Sequence, residues 1–364
     1  MQSLIQKAES FYEQHEGHVS SFALLAGFIF DTLTLQRIDL LFENIIIISY
    51  LVMSGGSIAL LNYYNEHPPQ KSFLVRLQNF LPLFMQFAFG GLFSGFFIFY
   101  TRSATLSSSW PFMLILLFLL VGNEFFRGHY QRLIFQVSIY FVAIFSFTIF
   151  FIPVLLKTMG VWVFILSGGT SLLFISIFSW ALFRVVPNKY EDNKTNLQIA
   201  VFSIFLIINI LYFSNLIPPI PLALKDARVY YSIEKVGESY RAVGEKKQWY
   251  ELVPFFTPKT VHPQPGASLY VFSSVFAPTD LDTRIIHDWQ YFDGAIDKWV
   301  SATKITFLIR GGRGEGYRGY SKKDNLFPGK WRVDVKTERN QIIGRVRFNI
   351  ALPRAGIELE ETVL

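Results

Sequence analysis

The stretch NLIPPIP, residues 215–221, divides the sequence into two parts of different character. Before it, apolar runs of membrane-spanning length follow one another, and after it short runs alternate between polar and apolar residues. Its prolines, Pro218, Pro219 and Pro221, remove backbone hydrogen-bond donors and cannot continue a helix. The stretch therefore predicts the end of a membrane domain and the start of a domain with a different secondary structure.

The overall composition is that of a membrane protein with a more polar C-terminal part. The 364 residues include 39 Phe, only 16% are charged, and the mean hydropathy is +0.34. Of the 33 Lys and Arg residues, 11 precede residue 223 and 22 follow it, and the 27 acidic residues divide as 10 and 17. Such a chain is too apolar for an ordinary soluble protein. The absence of cysteine excludes disulfides, iron–sulfur clusters and thiolate catalysis.

Seven apolar runs have about the length that an α-helix needs to cross a bilayer. Their predicted bounds are Ser20–Leu35, Leu40–Leu61, Phe80–Thr101, Trp110–Phe125, Leu133–Leu156, Val161–Phe183 and Leu197–Ile217. Residues 1–18 precede them as an N-terminal amphipathic segment, because side chains recur there at helical spacing. The sequence thus predicts an α-helical polytopic membrane domain over residues 19–222, with about seven transmembrane helices.

Basic residues in the loops predict the orientation of these helices. The loops after the second, fourth and sixth runs contain Lys71, Arg76, Arg127, Arg132, Arg184, Lys189 and Lys194, whereas the loops after the first, third and fifth contain Arg37, Arg102 and Lys157. Loops rich in Lys and Arg remain in the cytoplasm. The part of the chain that follows the seventh run is therefore predicted to lie on the outer side of the membrane.

Beyond residue 222 the spacing of apolar residues changes to that of β-strands. Strand-length runs bounded by turn residues are SLYVFSSVF (268–276), TRIIHDWQYF (283–292), TKITFLIR (303–310), KWRVDVKT (330–337) and IIGRVRFNI (342–350). They predict a C-terminal all-β antiparallel sandwich-like domain over residues 263–364. Residues 223–262 are more mixed, and we expect them to form a connecting segment with one or two strands.

A glycine-rich basic stretch, FLIRGGRGEGYRGYSKK (307–323), lies within the predicted β-domain. Gly314, Gly316 and Gly319 have the spacing of a dinucleotide-binding turn, but that fingerprint requires a helix to begin at the last glycine. Turn-forming residues follow instead, so nucleotide binding is not predicted. Backbone N–H groups and guanidinium groups suit oxyanions. The residues predicted to bind an anionic ligand are Arg310, Gly312, Arg313, Gly314, Arg318, Tyr320 and Lys322.

Two interpretations of this stretch stay open at the level of sequence. In the first, it binds a lipid headgroup phosphate, a phosphorylated glycan or an acidic polysaccharide, and Tyr317, Tyr320 or Trp299 stacks on a sugar. In the second, it is a solvated basic loop beside an anionic bilayer, and its glycines serve only a bulge. Trp289 and Trp331 lie in the middle of predicted strands and are expected in the core.

Three motifs of the C-terminal part resemble one protein family. VFAPTDLDTRIIHDW (275–289), IRGGRGEGYRGYSKK (309–323) and GKWRVDVKTERNQIIGRVRF (329–348) occur in the order found in the bacterial domain of unknown function 2914 family. GFIFDTLTLQRID (27–39) is similar to the membrane part of the same proteins. The resemblance implies a multi-spanning protein of the bacterial inner membrane, with a periplasmic or extracellular C-terminal β-domain. It implies no particular activity.

Ionisable groups at membrane depth are costly, and they are therefore candidates for function. The membrane polar cluster predicted from the sequence contains Asp31, Arg37, Asp39, Tyr100, Arg102 and Ser103. A structural ion pair between Asp31 and Arg37 is one interpretation. A headgroup or substrate site, with Asp31 or Asp39 as a catalytic base, is the second, and a proton relay is the third.

Several absences restrict the function further. No predicted span contains a histidine or a central lysine, and the chain has no His-Glu-x-x-His pair. A retinal pigment, a Ser–His intramembrane protease and a zinc hydrolase are therefore not predicted, and neither a metal, a cofactor nor a nucleic acid is expected.

Three hypotheses follow. The first is a non-enzymatic membrane protein whose exported β-domain binds anionic envelope components or an envelope protein. The second is an enzyme that modifies envelope lipid or polysaccharide, and the third is a transporter or flippase. Membrane lipids surround the helices in all three.

Overall fold

A computed structural model describes residues 28–364, with the exception of residues 30, 34, 36–40, 104–105, 126–131, 220, 238, 247–258, 279–280, 311–315 and 355. The chain forms two compact units, a helical unit that ends at Ile217 and a β unit that spans Pro218–Leu364. The boundary between the units falls inside the proline-rich stretch of residues 215–221.

Six long helices form the helical unit, after a short helical stretch near residues 28–33. They are α1 (Leu41–Glu66), α2 (Ser72–Ser103), α3 (Leu106–Phe125), α4 (Leu133–Leu156), α5 (Val161–Val185) and α6 (Pro187–Phe213). All except α3 are long and apolar enough to cross a membrane, and α3 contains a shorter apolar part, Trp110–Gly122. Five of the seven predicted spans therefore correspond to helices long and apolar enough to cross a membrane, the fourth has only a shorter apolar part, and most of the first lies outside the described residues, so the count of about seven is not confirmed.

Helix α4 forms the centre of the helical unit. It contacts α1, α5 and α6, and most of its side chains are buried. A buried hydrogen bond of 2.6 Å, donated by Asn62 Nδ2 of α1 to Gln136 Oε1 of α4, joins two of these helices. By contrast, large apolar side chains such as Trp162 of α5 and Phe202 of α6 are exposed. Such side chains suit the outer surface of a helix bundle in lipid.

The β unit contains eleven strands among the described residues. They are β1 (Ala223–Tyr230), β2 (Ser232–Val236), β3 (Ser239–Glu245), β4 (Lys259–Val261), β5 (Leu269–Phe276), β6 (Asp282–Asp293), β7 (Lys298–Arg310), β8 (Tyr317–Lys323), β9 (Gly329–Thr337), β10 (Ile342–Ile350) and β11 (Leu359–Val363). Residues 223–262, for which the sequence predicted one or two strands, contain four.

The strands form three sheets, with the orders β1-β5-β8, β4-β10-β9-β6-β7 and β11-β3-β2. Strand β4 pairs with β10 in parallel, and the other pairs are antiparallel. The prediction of a purely antiparallel domain is therefore wrong at this edge. Strand β4 is only three residues long, and so short a run carries no alternation that could reveal its partner.

The central sheet β1-β5-β8 packs on both of its faces. On one face, Val271 of β5 joins a core with Trp289, Trp331 and Phe348 of the five-stranded sheet. On the other face, a smaller cluster joins this sheet to β2 and β3; its buried members are Tyr230, Ile233, Ala242 and Phe272. Trp289 and Trp331 are 0% and 1% exposed, which confirms their assignment to the core. The β unit thus has three layers rather than the two of a simple sandwich.

Candidate functional site

Two glycines of the basic stretch, Gly316 and Gly319, have clear structural roles. No helix begins after Gly319; instead, Tyr317–Lys323 is strand β8. Gly316 has a φ of +86°, and a Cβ there would lie 2.6 Å from Ser274 Oγ. A Cβ on Gly319 would lie 2.7 Å from the Phe307 ring, which packs directly on this glycine. Positive φ and close packing therefore explain both glycines without a nucleotide.

The predicted anion-binding residues fall into three groups. Gly312, Arg313 and Gly314 lie outside the described residues. Arg310 ends β7, where it is exposed and lies opposite Asp282 of β6. The remaining three, Arg318, Tyr320 and Lys322, occupy alternate positions of β8 and therefore share one face of this strand.

Two further tyrosines join this face from other strands. The ring centroid of Tyr320 lies 6.0 Å from that of Tyr270 on β5 and 5.8 Å from that of Tyr240 on β3. Tyr320 is 39% exposed, and the other two rings are half-buried. We call Tyr240, Tyr270 and Tyr320, together with Arg318 and Lys322, the tyrosine surface. It combines three aromatic rings with two cations.

The cations of the tyrosine surface differ in their surroundings. Lys322 Nζ lies 3.2 Å from Asp324 Oδ1 in an exposed salt bridge. A hydrogen bond from Ser268, followed by one from Lys322, lowers the pKa of Asp324 below its ordinary value. Arg318 makes no salt bridge with any residue that the structure describes. Its guanidinium is the group of this surface best placed to take an external oxyanion.

The opposite face of β8 carries a buried hydrogen-bond network that the sequence analysis missed. Trp289 Nε1 donates to Ser321 Oγ at 2.9 Å, and Ser321 Oγ lies 2.8 Å from His287 Nδ1. His287 Nε2 lies 2.8 Å from Ser273 Oγ. When the imidazole is neutral and its proton is on Nε2, Nε2 donates to Ser273 Oγ and Nδ1 accepts from the Ser321 hydroxyl. Both ring nitrogens are then satisfied. The network joins the central sheet to the five-stranded sheet.

Burial lowers the pKa of His287 to about 3. Its ring is fully buried and contacts the Phe307 ring edge-on, with the centroids 4.9 Å apart. The neutral imidazole is therefore the stable form at physiological pH. Since no substrate can reach this ring, the network stabilises the fold and is not a catalytic centre.

Asp288, the neighbour of His287, lies on the outer face of β6, as the alternation of a strand requires. Its carboxylate accepts hydrogen bonds from Ser301 Oγ and Lys336 Nζ, both at 2.6 Å, and from Gln290 Nε2. Burial alone would raise the pKa of Asp288, but the hydrogen bonds from Lys336, Ser301 and Gln290 hold it below its usual value. His287 and Asp288 therefore cannot act as a catalytic pair.

The membrane polar cluster is only partly described. Asp31 is buried, and Tyr100 of α2 is fully buried with its ring against Phe112 of α3. Arg37 and Asp39 lie outside the described residues, and so do the side chains of Arg102 and Ser103. Within the described part of the chain, no group of three or more His, Cys, Asp or Glu side chains could hold a metal ion.

The fold and these surfaces define the class of protein. Five helices able to cross a membrane precede a three-layered β unit, so the chain is a membrane protein with a C-terminal β-domain. Residues 282–350 match the family described as "Protein of unknown function (DUF2914)". The match runs from β6 to β10 and confirms the resemblance of the C-terminal motifs.

The other comparisons add little. No curated protein matches the chain. A β-glucosidase from Listeria innocua, in complex with gluconolactone, is similar at 13% identity and a TM-score of 0.20, over 33% of this chain and 17% of that one. The alkylpurine DNA glycosylase AlkC of Pseudomonas fluorescens, bound to DNA with an abasic site analog, is similar at 9% identity and a TM-score of 0.19, over 87% and 100%. TM-scores this low carry no argument about fold or function.

Proposed function

We propose that the protein is a non-enzymatic binding protein of the bacterial inner membrane, whose β-domain lies outside the cytoplasm and binds an acidic glycan of the envelope. The observation that carries this proposal is the tyrosine surface. Three of the residues predicted to bind an anion share one face of β8, and two tyrosines from other strands join them there.

The chemistry of the tyrosine surface fits a sugar that carries a negative charge. Tyrosine rings offer apolar faces together with hydroxyl groups that hydrogen-bond, so they suit ligands that are partly apolar and partly polar. The guanidinium of Arg318 and the ammonium of Lys322 supply the attraction for a carboxylate or phosphate. Because strands β3, β5 and β8 hold all five side chains, the surface is fixed before a ligand arrives.

The charges of α6 support the exported position. Its first turns contain Lys189 and Lys194, whereas the rest of the helix, residues 195–213, contains no Lys or Arg. Basic residues beside a membrane-spanning helix favour the cytoplasmic side. The β-domain follows directly after this helix, so the charge distribution favours the opposite, outer side for it. The charges on either side of α6 favour this orientation whatever the number of spans that precede it.

A binding measurement on the full-length protein in nanodiscs of neutral lipid tests the proposal. The probe is polygalacturonate, with uncharged dextran as the neutral comparison. The double variant Arg318→Gln/Lys322→Gln is expected to bind polygalacturonate about tenfold more weakly at low salt, because two charge-assisted contacts are lost. The difference should shrink at high ionic strength.

The matched control is Arg284→Gln/Lys298→Gln, which removes two exposed cations from the five-stranded sheet. Tyr320→Ser serves as a second test, since it weakens stacking without a change in charge. If the double variant, the control and the unaltered protein bind polygalacturonate with equal affinity, the proposal is refuted. Binding to phosphatidylglycerol vesicles but not to polygalacturonate would assign the surface to lipid headgroups instead.

A further inference from the structure

The outer face of the five-stranded sheet holds an arginine in an unusually fixed position. The guanidinium of Arg332 on β9 lies over the Trp299 ring of β7, with its carbon 4.4 Å from the ring centroid. Its Nε donates to Gln290 Oε1 of β6 at 2.8 Å. Gln290 in turn donates to the carboxylate of Asp288, which also accepts hydrogen bonds from Ser301 and Lys336. Arg332 is therefore oriented both by an aromatic face and by the hydrogen bond that it donates to a fixed neighbour.

The carboxylates of this face are already neutralised by other cations. Lys336 Nζ lies 2.6 Å from Asp288 Oδ2 and 3.6 Å from Asp334 Oδ2. Arg345 binds Asp334 through two parallel hydrogen bonds, of which Nη2 to Oδ2 measures 2.9 Å. Both carboxylates are almost fully buried. For Arg332, the nearest carboxylate oxygen is Asp334 Oδ1, 3.9 Å from Nε.

The terminal nitrogens of Arg332 are consequently left for another partner. Among the residues that the structure describes, none accepts a hydrogen bond from Nη1 or Nη2 of Arg332. The side chain is 17% exposed, so its outer edge reaches the surface. A guanidinium has five N–H donors in a fixed fork, and here only Nε is in use.

Positive charge surrounds this arginine. Arg347 of β10 lies directly opposite Arg332 in the antiparallel register and is exposed, and Lys330 precedes Arg332 by two positions on the same face of β9. The outward positions of β9 and β10 carry the cations Lys330, Arg332, Lys336, Arg345 and Arg347, against the carboxylate of Asp334 on β9 and that of Asp288 opposite it on β6. Five cations against two anions leave three positive charges in excess.

Like charges on directly opposed residues of two strands destabilise a sheet. Consistent with this crowding, burial, followed by the charges of Arg345 and Arg347, lowers the pKa of Arg332 below its ordinary value. Neither Arg347 nor Lys330 forms a salt bridge with any described residue, although the ammonium of Lys330 lies 5.5 Å from the centroid of the Phe292 ring. An anion bound between these side chains would remove the repulsion.

We infer that Arg332, Arg347 and Lys330 form a binding site for a phosphate group, which we call the Arg332 site. Two guanidinium forks and an ammonium match the several oxygens and the charge of a phosphate, whereas a single carboxylate is satisfied by one guanidinium. The same group occurs in free phosphate, in phosphorylated sugars and in phospholipid headgroups. The Arg332 site lies on a different sheet from the tyrosine surface and so does not depend on the function proposed above.

The test uses the full-length protein in phosphatidylcholine nanodiscs, and inorganic phosphate is the probe. Its affinity is measured from the broadening of the phosphorus NMR line as protein is added. Arg332→Gln is expected to weaken phosphate binding about tenfold or more, because a charged hydrogen-bonding group is lost. Arg347→Gln is expected to weaken it by a similar factor. The matched control Arg284→Gln, in which the lost arginine lies on the same sheet and pairs with Glu338, should leave the affinity unchanged.

Arg347→Gln keeps the test decisive if Arg332→Gln fails to fold, because Arg347 is exposed and supports no other described side chain. The inference is overturned if Arg347→Gln binds phosphate as the unaltered protein does, or if Arg284→Gln loses as much affinity. The tyrosine-surface variant Arg318→Gln/Lys322→Gln should keep its affinity for phosphate, which separates the two sites. Competition by phosphatidylglycerol nanodiscs would identify a lipid headgroup as the source of the phosphate, and its absence would identify a soluble phosphate.

Discussion

Replacement of Ser321 by valine is expected to lower the free energy of unfolding of the β unit by about 2 to 4 kcal/mol. Valine has a methyl group in place of the serine hydroxyl and is larger by about one further methyl group. The substitution would leave Trp289 Nε1 without an acceptor and His287 Nδ1 without a donor, at a fully buried position between two sheets. Each buried polar group that loses its partner costs about 1 to 3 kcal/mol.

Urea denaturation of the full-length protein in detergent, followed by tryptophan fluorescence, measures this loss, since Trp289 and Trp331 lie in the core of the β unit. Thr306→Val is the matched control, because Thr306 is exposed on β7 and the change also replaces a hydroxyl by a methyl group. Equal midpoints for the two variants would show that the network contributes nothing to stability.

The same network predicts that the β unit loses stability in mild acid. The pKa of His287 is about 3 in the folded protein and 6.5 in its ordinary environment. Because the folded value is the lower one, the unfolded chain binds more protons between these limits. The contribution of His287 is therefore complete above pH 6.5 and is lost as the pH falls toward 3. The free energy of unfolding falls by up to about 1.4 kcal/mol per pH unit, which amounts to roughly 2 kcal/mol between pH 6.5 and about pH 4.5.

Urea midpoints of the full-length protein at several pH values test this expectation. The lowered pKa values of Asp288 and Asp324 act in the same direction as the pH falls below 3.8, and that of Glu358 acts below 4.5, so the range above pH 4.5 reports on His287. His287→Gln is expected to be less stable than the unaltered protein at pH 7 and to show a much flatter dependence on pH. If the stability of this variant falls with pH as steeply as that of the unaltered protein, another group is responsible for the pH dependence.

Most of the fold could be predicted from the sequence because its two parts have strong and different periodicities. The bounds predicted for Leu133–Leu156 coincide with α4, and five predicted strands reappear as β5, β6, β7, β9 and β10. The central position of α4 was not predictable from its apolar composition, since every apolar run looks alike to a hydropathy scale. It follows from pairwise contacts between helices.

The third layer of the β unit was missed in part because β11 lies far from β2 and β3 in the chain. Strand β11 pairs with β3, which is separated from it by more than one hundred residues. Its sequence, LEETV, contains two acids and is largely exposed, so it lacks an apolar alternation. Pairing at this edge depends on backbone hydrogen bonds, which leave little trace in side-chain identity.

The two candidate sites could likewise be predicted only in part from the sequence. The sequence predicted Arg318, Tyr320 and Lys322, because they are close together in a basic stretch. It could not predict Tyr240 and Tyr270, since only the register between sheets brings them beside Tyr320.

Similarly, Trp299 and Arg332 are 33 positions apart in the chain, and their contact depends on β6, which lies between their strands in the sheet. Alternation alone could have placed Lys330 and Arg332 on one face of β9. It could not have revealed that Arg347 of β10 lies directly opposite Arg332.

The central claim is that the β-domain faces the outside of the inner membrane, where envelope glycans occur, and its most direct test is the location of the C-terminus. A fluorescent protein that matures only in the cytoplasm is fused after Leu364, and a protease is added to spheroplasts that express the untagged full chain. We expect dark cells and digestion of the β-domain by the added protease. Bright cells in which the domain resists the protease would place it in the cytoplasm and contradict the account.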